Sequence, residues 1–160
     1  MQKDFTLPLL KALAAQGIHT AAETCGMVPY ETLAGSRTDL FLYDLKHIND
    51  EMHVRCTGVS NKMILDNLQQ LIADDRNVIV RIPLIPEVNM DDKTLTAYGR
   101  YLRGIGAVHV NLLPYHRLGL AKYKTLGLEY SMEQTMPPSE DQIDHALALL
   151  GEFGINVQRS

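Results

Sequence analysis

Cysteine is scarce in this sequence, which contains only Cys25 and Cys56. The two residues form neither a CxxC pair nor any spacing typical of a zinc site, so no metal ligand is assigned in this chain. Isolated cysteines in proteins of a reducing compartment are usually small buried hydrophobic side chains. We therefore expect both cysteines to be structural.

The chain also lacks a long apolar run, an apolar leader and an excess of basic residues. Charged residues interrupt every apolar stretch well before the roughly 20 residues that a membrane-spanning helix needs. Residues 1–17, MQKDFTLPLLKALAAQG, have no uninterrupted apolar region of the kind found in signal peptides. The net charge of −4 and the pI near 5.8 offer no basic surface for nucleic acid. These absences predict a cytoplasmic protein that binds neither membranes nor nucleic acid.

Glycine-rich phosphate motifs are absent too, because neither GxGxxG nor GxxxxGK followed by Ser or Thr occurs. The dinucleotide-binding and P-loop folds therefore have no fingerprint here. What the sequence does contain is an alternation of helical and strand patterns with no break in composition. Strands separated by helices predict parallel pairing through right-handed crossovers. We expect an α/β fold of one domain, residues 1–160, built as a partial, TIM-like (β/α) barrel with too few strands to close.

The predicted strands are short apolar or β-branched runs. They lie at 18–24, 39–46, 77–86 and 107–116, with 155–158 as a fifth candidate. Apolar residues at helical spacing predict helices that end before residue 17 and at 30–34, 61–75, 91–103 and 139–154. Ser60 or Asn61 is the expected N-cap of the third helix, and Ser139 that of the last, with Asp141 or Gln142 as its capping-box partner. A long loop is expected up to Pro137.

Polar side chains occur where four successive predicted strands end. In chain order they are Glu23 and Thr24, Asp44 and Lys46, Arg81, and Asn111 and His116. The loops at the carboxyl ends of parallel strands converge on one crevice. Four strands ending alike are poorly explained by independent accidents, so these ends predict a binding site.

Strand alternation sharpens this prediction, because it places Asp44 and Lys46 side by side on one face. Two carboxylates with one Lys and one Arg suit a zwitterionic ligand, since the cations bind a carboxylate and the acids bind an ammonium group or ribose hydroxyls. Plainer interpretations stay open. Asp44 and Lys46 can be a solvated strand end, Arg81 can pair structurally with Asp44 or Glu23, and His116, like His47 and the other histidines, can be an ordinary surface or core residue.

Four segments together resemble the glycyl-radical-enzyme activating enzymes, the radical SAM group typified by the pyruvate formate-lyase activase. They are ETCG (23–26), DLFLYDLKHIND (39–50), VIVRIPLIPEVN (78–89) and VNLLPYHRLGLAKYKTLG (110–127). The resemblance extends over nearly the whole chain and keeps the order and approximate spacing of the family's segments. The combination of DxKxxND with LLPYHxLGxxKY is specific, whereas either motif alone is weak.

The resemblance implies a partial (β/α)6 barrel of the radical SAM type that binds S-adenosylmethionine beside a 4Fe-4S cluster. An electron, supplied by a donor such as flavodoxin or ferredoxin, leads to a 5'-deoxyadenosyl radical that removes a hydrogen from a glycine of a partner enzyme. The partner is a glycyl radical enzyme, such as pyruvate formate-lyase or a diol or glycerol dehydratase. The sequence does not determine which one.

The resemblance also implies roles for individual residues. By motif, Glu23 matches the acidic residue near the methionyl group and a monovalent cation site, and Asp44 and Lys46 match the family's cofactor-contacting pair. Arg81 and His116 match residues that help hold S-adenosylmethionine. These five are the predicted cofactor-binding residues, with Asn89 as a weaker candidate. The loop at 117–127 lies where the family receives its protein substrate.

The chain departs from the family in the residues that would bind the iron–sulfur cluster. It has no CxxxCxxC motif, and it begins downstream of the family's Gly-Gly-Glu segment. It therefore resembles the C-terminal two thirds of an activase, truncated at the N-terminal side by an engineered boundary, a shortened gene product or a misassigned start. We expect the chain alone to be inactive and assign it no catalytic residue.

Two alternative functions remain. Lys46 lies where an aldolase-type lysine would lie at a barrel strand end, so a Schiff-base lyase is possible, with Asp44 as acid or base. Its charged neighbours weigh against this, because they favour the ammonium form of a lysine. The second alternative is a non-catalytic module that presents the loop at 117–127 to a partner.

Overall fold

The structure of the protein, a computed structural model, describes residues 2–130 and 132–160. Its centre is a five-stranded sheet in which every pair of neighbours is parallel and the strands follow chain order, β1-β2-β3-β4-β5. The strands are β1 (Ala21–Thr24), β2 (Leu40–Asp44), β3 (Val78–Leu84), β4 (His109–Pro114) and β5 (Asn156–Arg159). The α/β fold and the parallel sheet are confirmed.

Helices precede the first strand and connect all the others. They are α1 (Lys3–Ala15), α2 (Tyr30–Ala34), α3 (Asp50–Thr57), α4 (Lys62–Ala73), α5 (Asp92–Gly104), α6 (Leu120–Thr125) and α7 (Glu140–Gly151), with a 3-10 turn at Arg117–Gly119. Right-handed crossovers between strands in sequential order place the connecting helices on the same side of the sheet. This singly wound arrangement is that of a partial TIM-like barrel.

The hydrophobic core lies between the helices and one face of the sheet. Alternate strand residues point into it, and Phe41, Tyr43, Val80, Ile82 and Leu112 are all at most 1% exposed. Each such side chain contributes about 1.5–3 kcal/mol by leaving water. The residues between them on the same strands are less buried and form the opposite face, which we call the open face.

Residues on the open face align in rows across the strands. The register pairs Asp44 with Arg81, Arg81 with Asn111, and Asn111 with Gln158. Asp44, Arg81 and Asn111 are half-buried. In this row across the open face, the charged side chains of β2 and β3 thus lie next to the neutral amide side chains of β4 and β5.

Local chemistry fixes several helix ends. Ser139 and Gln142 form the capping box of α7, as one of the two sequence alternatives predicts. The side chain of Asp91 accepts from the backbone N–H of Thr94 at the start of α5, and Asn49 does the same for Met52 in α3.

Some sequence predictions are wrong in detail. The segment Leu120–Thr125 forms α6 within the expected loop. Asn61 is at the N-cap position of α4, as one of the two sequence alternatives predicts, but its side chain makes no capping bond and donates instead to the backbone carbonyls of His47 and Ile48. The first strand starts at Ala21, since the Asp39 carboxylate binds the backbone N–H and hydroxyl of Thr20 just before it.

No helix among the described residues has both the length and the apolar character needed to cross a membrane.

Candidate functional site

A cluster of charged side chains occupies the open face at the carboxyl ends of β1, β2 and β3. The guanidinium of Arg81 is its centre. Arg81 Nε and Nη2 lie 2.8 and 2.7 Å from Asp44 Oδ1, and Nη1 lies 2.8 Å from Glu23 Oε1. One arginine thus binds carboxylates from two other strands.

The sheet register explains this arrangement. Asp44 and Arg81 are direct partners across β2 and β3, so their side chains leave the sheet next to each other. Glu23 is paired with Leu42, two residues before Asp44 on β2 and on the same face of the sheet. Because neighbouring strands are about 4.8 Å apart, the side chains of Arg81 and Glu23 together bridge about 10 Å between β3 and β1. Only 16% of the Arg81 side chain stays exposed.

Lys46 completes the cluster from just beyond β2. Its ammonium Nζ lies 3.4 Å from Asp44 Oδ2, and its side chain is 47% exposed. This contact is longer than those of Arg81, and the lysine is the more solvated cation. Two carboxylates and two cations make the cluster neutral as a whole, and Lys46 is the member best placed to meet an incoming anion.

The electrostatics of the cluster follow from its hydrogen bonds. The hydrogen bond and the positive charge of Arg81 lower the pKa of Glu23 below its ordinary value, and burial opposes this only weakly. The hydrogen bond to Glu23 raises the pKa of Arg81 further, together with the bond to Asp44. Glu23 and Arg81 therefore remain an ion pair throughout the neutral range.

The structure brings together four of the five predicted site residues and leaves His116 apart. His116 is exposed at the end of β4, and no hydrogen bond or ion pair in the described parts of the chain joins it to the cluster. It lines a cavity of about 480 Å³ together with Ile85, Leu113, Tyr115 and Tyr130.

Asn89, the weaker candidate, is fully buried and hydrogen-bonded to backbone groups, so it does not face a ligand on the open face.

The residues of this chain do not fit an iron–sulfur cluster. Such clusters are held mainly by several cysteine thiolates, whereas Cys25 is half-buried after β1 and Cys56 is exposed in α3. The exposure of Cys56 also contradicts the expectation that both cysteines are buried. Within residues 2–130 and 132–160, no three His, Cys, Asp or Glu side chains are grouped so as to hold a metal ion.

Sequence reasoning missed a set of buried polar residues behind Lys46. His47, Asn61 and Tyr98 are each at most 3% exposed, and each donates a hydrogen bond to a backbone carbonyl of the loops next to the cluster. One signal was available for His47, because alternation directs it to the core side when Lys46 points to the open face.

Curated relatives match almost the whole chain. It is 38% identical to the choline trimethylamine-lyase activating enzyme of Oleidesulfovibrio alaskensis, over 98% of this chain and 53% of that protein. It is 36% identical to the trans-4-hydroxy-L-proline dehydratase activating enzyme of Clostridioides difficile, over 97% of this chain and 53% of the relative. The pyruvate formate-lyase 1-activating enzyme of Escherichia coli K12 is 32% identical over 98% of this chain and 66% of its own length. The chain thus spans about half the length of the first two relatives.

Solved structures give the same picture. A domain of a pyruvate-formate lyase-activating enzyme from Bacteroides vulgatus superposes with a TM-score of 0.82 at 28% identity, covering 99% of this chain and 91% of that one. A radical SAM methyltransferase from Sphaerobacter thermophilus shares the fold, with a TM-score of 0.69 at 20% identity over 91% of this chain and 42% of that one. No family model matches the chain.

Proposed function

This chain belongs to the family of glycyl-radical-enzyme activating enzymes, and we propose that it is the part of such an enzyme that holds S-adenosylmethionine and receives the partner enzyme. The observation that carries the proposal is the cluster of Glu23, Asp44, Lys46 and Arg81 at one rim of the sheet. The proposal includes the interpretation of residues 1–160 as one domain, the C-terminal portion of a partial (β/α)6 barrel.

The donor set of the cluster suits the polar groups of S-adenosylmethionine. The ligand carries an α-carboxylate, an α-ammonium group and two ribose hydroxyls. Lys46 is the half-exposed cation that would meet the carboxylate, supported by Arg81. Glu23 and Asp44 supply oxygens for the ammonium group or the hydroxyls, while their contacts with Arg81 hold them in place.

His116 would bind a different part of the ligand from the charged cluster. The cavity beside it is lined largely by apolar groups from the ends of β3 and β4, among them Ile85, Leu113 and Pro114. Ligand pockets typically combine such apolar walls with a few polar groups that fix orientation. This cavity suits the flat adenine ring, with the imidazole of His116 at its edge.

The radical chemistry itself needs a 4Fe-4S cluster that residues outside this chain would hold. In a complete activating enzyme, the cluster and S-adenosylmethionine supply the radical that takes a hydrogen from a glycine of the partner. This chain's residues bind and orient the ligand and do not take part in that step. We therefore expect the chain alone to be inactive.

The segment after β4 is the proposed docking region for the partner, a glycyl radical enzyme. Its apolar side chains Leu118, Leu126 and Leu128 are exposed, the first to 79%. The guanidinium of Arg117 donates a hydrogen bond to the backbone carbonyl of Glu133, which connects the two ends of this segment. The electron donor, flavodoxin or ferredoxin, and the cytoplasmic location both stay predictions.

Titration of the labelled chain with S-adenosylmethionine, followed by NMR, tests the binding role. We expect saturable shifts confined to the carboxyl ends of β1–β4, and their loss in Lys46→Met. Lys62→Met removes a lysine that lies outside the cluster, at the start of α4, and should bind as the unchanged chain does. Shifts that map elsewhere, or equal binding by both variants, would contradict the proposed site.

Anaerobic reconstitution with iron and sulfide tests the expected inactivity. A stable cluster absorbance together with reductive cleavage of S-adenosylmethionine by this chain alone would overturn that expectation.

The Schiff-base alternative gains no support from the geometry. Lys46 is 47% exposed and lies 3.4 Å from a carboxylate, so burial does not prepare it as a nucleophile. Borohydride trapping with small aldehydes or keto acids is expected to leave Lys46 unlabelled.

A further inference from the structure

We propose that Tyr98 and Asn89 are positioning residues, which hold the backbone carbonyl of Lys46 from the core side of the sheet and so direct its ammonium group into the charged cluster. The inference rests on the proposed function, because it assigns to two buried residues a role in binding S-adenosylmethionine. Neither residue touches the ligand site itself.

Both side chains converge on one carbonyl. Tyr98 is fully buried in α5, and its hydroxyl donates to the Lys46 carbonyl at 3.1 Å. Asn89 is also fully buried, and its Nδ2 lies 3.5 Å from the same oxygen and 2.5 Å from the carbonyl of Pro83. Its Oδ1 accepts from the backbone N–H of Ile85 at 2.9 Å. Asn89 therefore ties the loop after β3 to the loop after β2.

The next two carbonyls of the loop are held in the same way. Asn61 Nδ2 donates to the carbonyls of both His47 and Ile48 at 2.9 Å. His47 Nδ1 accepts from the backbone N–H of Asn49 at 3.0 Å, so its proton is on Nε2, which donates to the carbonyl of Val88 at 3.2 Å. Three consecutive carbonyls, those of residues 46 to 48, thus each receive a buried side-chain donor.

This arrangement restricts the direction of Lys46. Loops at strand ends are ordinarily mobile, but here the peptide plane between Lys46 and His47 is held by Tyr98 on one side and by the buried imidazole on the other. Rotation of that plane would break the bond to Tyr98 and swing the lysine away from Asp44. A cation held in its binding direction loses less conformational freedom when a ligand arrives, which increases affinity.

A plainer interpretation is that Tyr98 only satisfies a core carbonyl, as buried polar groups generally do. Tyr101 offers a matched control. It lies on the same helix, and its hydroxyl donates to the Leu65 carbonyl in α4 at 2.7 Å. Both tyrosines make one hydrogen bond to a distant backbone carbonyl, but only that of Tyr98 is in the loop that carries Lys46.

The experiment compares Tyr98→Phe with Tyr101→Phe in the full chain. Loss of one hydrogen bond should weaken S-adenosylmethionine binding by about five- to tenfold in Tyr98→Phe, and by less than about twofold in Tyr101→Phe. Amide hydrogen exchange at Asn49, whose N–H is bonded to His47, should accelerate only in Tyr98→Phe. Equal effects of the two variants on binding or on this exchange would overturn the inference.

The two proposals can fail separately. If the unchanged chain does not bind S-adenosylmethionine, the proposed function fails, and the exchange at Asn49 still decides whether Tyr98 orders the loop. If Tyr98→Phe does not fold, the unchanged chain provides the test by reciprocity. Binding should then shift the hydroxyl resonance of Tyr98 and leave that of Tyr101 in place, and a Tyr98 resonance that does not move would overturn the inference.

Discussion

At the scale of single residues, Arg81 determines the character of the site. Its planar guanidinium offers donors in several directions at once, and it uses them on carboxylates from β1 and β2. A lysine at this position is a point charge and would not hold Asp44 and Glu23 in fixed orientations. The arginine thereby couples three strands through side chains alone.

Arg81→Lys should lower the free energy of unfolding by about 1 kcal/mol, because one carboxylate loses its partner while the charge is kept. Chemical denaturation measures the change. Arg103→Lys, at an exposed position near the end of α5, is the matched control and should change stability by less than about 0.5 kcal/mol. Equal effects of the two substitutions would show that the simultaneous contact of Arg81 with two carboxylates contributes nothing to stability.

The titration of Glu23 provides a pH-dependent prediction. Folding lowers its pKa from the ordinary 4.5 through the hydrogen bond and charge of Arg81. The stability that Glu23 contributes is therefore fully present above pH 4.5 and is lost as the pH falls through the lower folded value. Carbon-detected NMR of the Glu23 carboxyl should show the lowered pKa and its rise in Arg81→Met. Lys46→Met, which removes a cation that contacts Asp44 and not Glu23, should leave the pKa of Glu23 unchanged.

At the scale of elements, the turn after β1 depends on glycine. Gly26 has a φ of +71°, and a Cβ added there would lie 1.8 Å from the hydroxyl oxygen of Tyr43. Tyr43 is itself fixed, since it is fully buried and donates to the Ile64 carbonyl at 2.7 Å. The turn that carries the chain away from Glu23 therefore packs directly on the core.

Gly26→Ala should cost about 3 kcal/mol, of which about 1 is left-handed backbone strain and about 2 is overpacking against Tyr43. Gly58→Ala separates the two contributions. Gly58 has a φ of +80° but nothing within 4 Å of an added Cβ, so only the backbone cost of about 1 kcal/mol is expected there. Thermal or urea unfolding of both variants measures the difference, and similar losses would exclude a steric contribution from Tyr43.

The elements were largely predictable because most of them depend on local patterns. The five strands, the helix at 30–34 and the Ser139 cap follow from alternation, spacing and capping chemistry that are visible in the sequence. The helix α6 was missed because its polar, glycine-flanked segment has no buried residue to give a periodic signal. Asn61 occupies the predicted N-cap position of α4, but the sequence could not show that its side chain binds a loop that is distant in the sequence.

The site was predictable to the extent that strand register determines it. The alternation of β2 and the parallel order of the sheet bring Asp44, Lys46 and Arg81 together as expected. The position of His116 depends on the path of the chain after β4, which no periodic pattern sets. The bonds of Tyr98 and Asn89 to the Lys46 carbonyl depend on tertiary packing and leave no trace in local sequence.

At the scale of the whole molecule, stability is distributed unevenly along the chain. Helix α1 has no buried residue, and its Phe5 and Leu9 are among the exposed large apolar side chains. The strand that follows it, β1, is at one edge of the described sheet. By contrast, α4 buries Ile64, Leu68 and Leu71.

Native-state hydrogen exchange should therefore show different protection of the amides in α1 and in α4. Amides of α1 are expected to exchange through local opening at a small fraction of the global free energy, while those of α4 exchange only on global unfolding. Leu68→Ala should accelerate exchange in both helices if α1 depends on the core, and only in α4 if α1 opens independently, which is the expected result. Protection of α1 equal to that of α4 would contradict the predicted division.

The sequential strand order has a further consequence for synthesis on the ribosome. Each of the strands β2 to β5 pairs with the strand that precedes it in the sequence, so no strand needs a later, non-adjacent strand as its first partner. Among the described strands, each can add to the sheet in chain order as it emerges, which limits the exposure of unpaired strands. The order of translation and the order of assembly would then coincide, with Glu23, Asp44 and Arg81 joined before β4 and β5 pair.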